Sequence, residues 1–212
     1  MQRLAEATEE RGGVPTQIAY LDHDVPSVAD VLSAPVVTDG PIDALGLFLA
    51  DGYHARVDIP KALADAAERV SIADHGTLGM GPWLFPALAR ALSDVDCDVQ
   101  DPGVGVALVA AGSARPEARD GVVHLACAWQ RERGGPVRPA FAAGPGPTLE
   151  EALDMLSDTG CAHRAVALLM LAPGVLADRV FAAAAPRQLT VAHPLGSAPE
   201  VIDRIICLTT PG

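Results

Sequence analysis

The chain has 212 residues, half of them hydrophobic and only 4% aromatic, and its 15 basic against 27 acidic side chains give a net charge of −12. That length is one large domain or two of about 100 residues, and the Val, Leu, Ile and Ala of its core suit buried parallel strands under Ala-rich helices. The acidic balance excludes a general nucleic-acid-binding or anionic-membrane surface, so an anionic ligand must be held by local groups such as helix N-termini or single arginines.

In chain order, the periodicity predicts a helix over 2–11, a strand over 16–21, and a helix over 27–33 opened by Ser27-x-x-Asp30. A surface loop is expected over 34–43, which holds two prolines and a glycine. A strand over 44–49, a helix over 58–69, a strand over 70–73 and a helix over 82–92 follow, and Asp94–Gly103 reads as a linker. Beyond it lie a continuous apolar strand, 104–111, ending at Gly112-Ser113, and a helix over 117–133 with Val122, Leu125, Ala126 and Trp129 on its apolar face. Then come a strand over 137–142, a helix from the capping box Thr148-x-x-Glu151 through Leu156, a strand over 164–171, a helix over 176–184, a strand over 189–192 and a last helix over 199–208. Strands alternating with helices imply an α/β fold with parallel pairing.

The order of elements repeats. Residues 45–58, LGLFLADGYHARVD, match 167–180, ALLMLAPGVLADRV, at a spacing of about 120 residues. Nearly the same spacing aligns Glu10-Arg11-Gly12-Gly13 with Glu132-Arg133-Gly134-Gly135, and Pro26-Ser27-Val28-Ala29-Asp30 with Pro147-Thr148-Leu149-Glu150-Glu151. It also aligns Leu78-Gly79-Met80-Gly81-Pro82 with Leu195-Gly196-Ser197-Ala198-Pro199. The chain is therefore expected to be a duplicated α/β unit, with halves 1–97 and 98–212. One element has no first copy: strand 104–111 and Gly112-Ser113, shifted back by the same spacing, fall ahead of Met1.

The polar start MQRLAEATEERGG lacks the apolar core of a secretory signal, and the longest apolar stretch, Ala165 to Leu176, is too short to span a membrane. Cys97, Cys127, Cys161 and Cys207 form no CxxC or Cys/His cluster and read as thiols of a reducing compartment. A cytoplasmic protein is expected.

His54 is the sharpest difference between the copies, since Leu176 stands at its place. It follows an apolar strand, and ligands of open α/β sheets bind at the carboxyl ends of strands. A neutral imidazole there can ligate a divalent metal or accept a proton near pH 7; a loop histidine without a role is the alternative. Arg56 can pair bidentately with a carboxylate, while Arg179, near its counterpart, reads as a solvated helix residue. Gly112-Ser113 can hold an anion through backbone N–H groups and the hydroxyl, or be a simple turn. His75 and His193 are each expected just after a short strand, and His23, His124 and His163 fall in no ligand-type spacing. No P-loop, Rossmann or GxSxG motif is present.

The stretch Leu47-Phe48-Leu49-Ala50-Asp51-Gly52-Tyr53-His54-Ala55-Arg56-Val57-Asp58-Ile59-Pro60 closely resembles the signature of the sirohydrochlorin chelatases of the CbiX-type class II group. Ala110-Ala111-Gly112-Ser113, Leu171–Arg179 and Pro194-Leu195-Gly196 resemble the motifs of that family's second half. The resemblance implies two similar α/β halves, each a parallel sheet flanked by helices, facing each other across a cleft. It implies a lyase that inserts Co2+ or Fe2+ into a tetrapyrrole in siroheme or cobalamin formation, with the divalent metal as substrate and no organic cofactor. His54 would be metal ligand and proton acceptor, and Arg56, Tyr53, Gly52, Gly112 and Ser113 would bind the substrate. The family's first half opens with a strand and a Gly-His-Gly-Ser-like loop, the segment this chain lacks, so reduced chelatase activity is expected, with a start assigned too late as the favoured reason. A non-catalytic tetrapyrrole- or metal-binding protein is the alternative. Two halves in one chain make a monomer the expected state.

Overall fold

The computed structural model describes residues 1–21, 24–33, 40–50, 54–67 and 70–210. The chain divides into two compact units, Met80–Val201 and Met1–Gly79 with Ile202–Gly212.

The unit Met80–Val201 is organised by a parallel four-stranded sheet. The first helix of the chain, α1 (Gln2–Gly12), and then α2 (Val28–Ser33), β1 (Ile42–Gly46), α3 (Ile59–Ala67) and β2 (Ile72–Thr77) precede it. Within it, α4 (Leu84–Ser93) leads to β3 (Val104–Ala110), α5 (Pro116–Arg133), β4 (Val137–Phe141), α6 (Leu149–Ser157), β5 (His163–Leu169), α7 (Val175–Ala184) and β6 (Thr190–Val191). The strand order is β4-β3-β5-β6. Val104 pairs with His163 through to Ala110 with Leu169, and Val106 with Val137 through to Ala110 with Phe141. All seven residues of β3 are buried, which is why its sequence is apolar throughout rather than alternating. Ala107 and Val109 meet Leu153 and Leu156 of α6 and Val180 of α7 in one cluster. Phe85 of α4 stacks on Trp129 of α5, ring centroids 6.2 Å apart.

Arg133, at the end of α5, is buried, with an exposure of 8%. Its guanidinium donates to four carbonyls: Val99 (2.8 Å), Asp101 (3.1 Å), Val104 (2.9 Å) and Pro136 (3.2 Å). Burial pushes its pKa down from the usual arginine value, yet the carbonyl fork satisfies its protons. The side chain thereby ties the entry of β3 to the entry of β4.

The unit Met1–Gly79 with Ile202–Gly212 holds the parallel pair β1-β2, with Ile42 opposite Ile72 and Gly46 opposite Thr77 across a bulge. The last helix, α8 (Pro199–Thr209), enters this unit from Ile202 onward, where Asp203 pairs with Arg11 of α1 at 2.7 Å. Since α4 belongs to the other unit, the last helix of each sequence copy is counted with the strands of the other.

The duplication persists at the level of single hydrogen bonds. Tyr20 N–H donates to the Pro26 carbonyl at 2.9 Å, and Phe141 N–H to the Pro147 carbonyl at 2.8 Å. Ser27 with Asp30, and Thr148 with Glu151, form reciprocal capping boxes. Accepting from the Thr148 N–H and hydroxyl holds the Glu151 carboxyl below its usual pKa. The helices α1 and α5 both stop on a left-handed glycine, Gly13 and Gly134.

Several expected boundaries move. Among the described residues the strand expected over 16–21 makes one isolated bridge, Tyr20 to Ser27, and pairs with no strand. Ile42 and Asp43, expected in a loop, belong to β1, and residues 34–39 of that loop lie outside the described residues. The helix expected over 58–69 begins as a π-helical turn, His54–Asp58, and 68–69 lie outside the described residues. The strand expected over 70–73 is Ile72–Thr77. Among the described residues no helix is long and apolar enough to cross a membrane.

Replacing Arg133→Met keeps the length and apolar stem of the side chain but removes the guanidinium from the four carbonyls, of which Asp101 and Pro136 keep the N–H of Val104 and Val106. Urea unfolding followed by circular dichroism should show a loss of about 3 kcal/mol, the cost of buried acceptors left unpaired.

Candidate functional site

In the unit containing β1, the site is built at the carboxyl ends of β1 and β2. Gly46 is closely packed: a Cβ there would displace the Ile59 Cδ1 methyl of α3 and lie 3.2 Å from the Gly76 carbonyl, so glycine lets α3 approach the strand end undisturbed. The two strand ends are stitched together, with Leu78 N–H donating to the Gly46 carbonyl and Gly79 N–H to the Phe48 carbonyl, both at 3.1 Å. Leu78 is wholly buried beneath this junction.

His54 opens the π-helical turn His54–Asp58, and Arg56 is exposed in the same turn. Single π-turns are rare and concentrate at functional positions. Gly52 and Tyr53, expected in the site, lie outside the described residues, as does His23. In the other copy Leu176 takes the place of His54 one residue into a regular helix, α7, and packs half-buried against the core cluster. The copies thus differ in backbone as well as side chain: an apolar residue anchors the helix start in one, and an imidazole begins an irregular turn in the other.

Gly112-Ser113 follows β3. Gly112 adopts φ 105°, and a Cβ there would fall 1.9 Å from the Ala143 carbonyl oxygen, so the loop after β3 and the loop after β4 touch backbone to backbone. The Ser113 hydroxyl accepts from Arg115 N–H at 3.1 Å, and Arg119 Nη1 donates to the Ser113 and Ala114 carbonyls at 2.8 and 2.9 Å. These are the bonds of a turn that starts a helix.

The remaining histidines are dispersed. His75, expected just past a strand, lies inside β2, where Nε2 meets Asp43 Oδ1 of β1 at 2.7 Å. That cross-strand pair had no signal in the sequence, since a contact between neighbouring parallel strands depends on register alone. His193 follows β6 as expected, its ring 5.9 Å from that of Phe181. His124 Nδ1 lies 2.8 Å from the Asp120 carbonyl in α5, and His163 opens β5 at its amino end, exposed. Arg179 is exposed on α7. Among the described residues no three His, Cys, Asp or Glu side chains converge as a metal cage.

A family model described as CbiX matches residues 1–95 and 105–207. The chain belongs to the CbiX family, as its GYHARVDIP block implied. Among solved structures it is similar to SirB from Bacillus subtilis with Fe3+, with a TM-score of 0.76 and 23% identity over 97% of this chain and 87% of that one. It is also similar to the sirohydrochlorin chelatase SirB from Bacillus subtilis subspecies spizizenii in complex with cobalt, TM-score 0.71 and 20% identity, covering 98% and 87%. A third is DR2241 from Deinococcus radiodurans, a multi-domain protein with structural similarity to chelatases, with TM-score 0.72 and 22% identity; it is matched over 99% of this chain and 50% of its own. These likenesses establish an α/β chelatase-like fold in two halves. Among curated proteins none matches the chain in sequence.

The backbone contact at Gly112 has a measurable consequence. Gly112→Ala must move the Ala143 loop away, and should lower the stability of the unit Met80–Val201 by at least about 2 kcal/mol in thermal unfolding.

Proposed function

We propose that this chain inserts a divalent metal, Co2+ or Fe2+, into sirohydrochlorin in siroheme or cobalamin formation. One observation carries the reading: the chain holds the family's GYHARVDIP block, whose His54 opens a π-turn, and the CbiX model matches it through both copies. Two SirB structures of the same fold are named with Fe3+ and with cobalt, which is consistent with either metal.

In metallation two pyrrole N–H protons leave the macrocycle as the ion enters, so charge balances when both protons reach a base. Imidazole suits both requirements, binding Fe2+ and Co2+ as a borderline nitrogen ligand and titrating near pH 6.5, its ordinary value. His54 would first ligate the ion and, once the ion has passed to the macrocycle, its freed nitrogen would take one of the two protons, solvent taking the other. Arg56 pairs with a substrate carboxylate. Gly52 and Tyr53 beside His54, and Gly112-Ser113 after β3, contribute the remaining contacts to the substrate. The acidic surface is no obstacle, because a polycarboxylate is met by this local cation. The working state is a cytoplasmic monomer without an organic cofactor.

The second reading is a binder of tetrapyrrole or metal that does not turn over. Equilibrium titration with sirohydrochlorin and Co2+ separates the two, since a binder shifts the ligand spectrum without releasing metallated product.

For the catalytic reading, His54→Ala should lower the rate of cobalt insertion, followed by absorbance, by at least about 100-fold. An unchanged rate in the folded variant would falsify it.

A further inference from the structure

The helix that begins with His54 meets its strand differently from the helix of the other copy. Leu168, near the end of β5, is wholly buried in the cluster that holds Ala177, Val180 and Ala184 of α7, and Phe181 packs against it. A full leucine side chain thus stands between strand and helix. At the matching places the first copy has Gly46 and, next after the aligned block, Ile59. The Ile59 Cδ1 methyl occupies the space that a Cβ on Gly46 would need, and Thr77 Cγ2 and the Gly76 carbonyl close the remaining sides. Ile59 therefore fixes the first residue of α3 against the end of β1 and leaves that helix little freedom to turn.

The path into the helix differs correspondingly. Residues 45–58 align with 167–180 without a gap, so both copies reach this point with the same count of residues. In the second copy they enter the regular helix α7 at Val175. In the first, His54–Asp58 form a π-helical turn, and α-helical bonding starts at Ile59. A π-turn closes its hydrogen bonds over five residues instead of four, so it carries one residue more than an α-turn. Such a turn persists where packing on its far side holds it, and Ile59 supplies that packing. With α3 held, the surplus residue decides where around the helix axis the backbone of His54 comes to lie.

We propose that Gly46 and Ile59 are positioning residues for His54: they hold α3 on the strand end, and the one-residue surplus of the π-turn sets His54 in its working place relative to Arg56. The proposal rests on the metal-insertion reading. A turn of ordinary α-helical count would keep the helix but move the backbone of His54 by about 100° around its axis and about 1.5 Å along it.

The test follows cobalt insertion into sirohydrochlorin by the unaltered chain, His54→Ala, a deletion of Ala55, and Gly46→Ala with and without Ile59→Val. Deleting Ala55 returns the turn to α-helical count while Arg56 and Asp58 keep their places relative to α3. Its kcat should fall about 100-fold, the cost of misplacing a reacting group by an ångström or more, with KM for sirohydrochlorin changed less than about threefold. Its thermal midpoint should not fall, because an α-turn replaces the rarer π-turn. A merely structural role predicts the opposite, a lower midpoint with kcat per folded molecule unchanged. Gly46→Ala pushes against the Ile59 methyl and should lower kcat about tenfold or more. Ile59→Val removes that methyl, and the double variant should recover most of the loss. A folded deletion variant that inserts cobalt at the unaltered rate while His54→Ala is slow overturns the proposal. Full activity in Gly46→Ala, or a loss there that Ile59→Val does not relieve, overturns it as well, and these two variants decide alone if the deletion does not fold. An unchanged rate in His54→Ala, or no turnover by the unaltered chain, instead overturns the metal-insertion reading and this proposal with it.

Discussion

A parallel strand buried on both faces can keep its peptide groups paired only if it has a strand on each side. Val104–Ala110 meets that condition, and the unit around it follows from meeting it: ladders to β4 and β5, apolar side chains at every position, helices over the sheet, and the Arg133 fork closing the polar end. An unpaired peptide group in that position would cost on the order of 1–3 kcal/mol, so β3 holds the sheet together as much as it belongs to it. Among the described residues the first copy has a pair of strands where the second has a four-stranded sheet. A two-stranded ribbon is marginal by itself. The segment 16–21 accordingly keeps its turn and capping box, which are local, and makes no ladder, which is not.

This separation of local from non-local determinants explains what was legible in the sequence. The capping boxes at Ser27 and Thr148, the glycine stops at Gly13 and Gly134, and the buried strand at 104–110 were readable because residues within a few positions decide them. The duplicated α/β architecture was readable for the same reason, since each local signal occurs twice. The failures involve partners far along the chain. Segment 16–21 has the composition of a strand but lacks a neighbour, while Asp43 and His75 meet only because β1 and β2 adopt one register. Within the candidate site, His54 was readable from its motif, but the π-turn that begins there was not, because a π-turn differs from an α-turn by one inserted residue and leaves no periodic trace.

The two copies also show how duplication divides structural from chemical work. Leu176 at the head of α7 is half-buried against its unit's cluster and so contributes part of the roughly 1.5–3 kcal/mol of a fully buried leucine. The matching position in the first copy carries His54, whose polar ring cannot supply that term, at the start of a turn that departs from regular helical bonding. The copies keep Glu-Arg-Gly-Gly at the helix stops, where both need the same left-handed turn, and differ at His54 and Leu176, where packing and chemistry compete.

The same competition bears on how an acidic chain handles a polyanionic ligand. At a net charge of −12 the long-range field repels carboxylates, but at about 0.15 M ionic strength that field decays within roughly 8 Å. A guanidinium in direct contact with a carboxylate acts inside that distance and through paired hydrogen bonds, so binding depends on where the few cations stand and little on the total. Arg133 and Arg119 are committed to backbone carbonyls, and Arg11 and Arg90 to carboxylates at 2.7 Å. Arg56 too has a partner, and it is exposed in the turn that His54 opens. In the proposed reaction one turn thus supplies a positive charge for the substrate's periphery and an imidazole for its centre, while the negative surface disfavours anions elsewhere on the molecule.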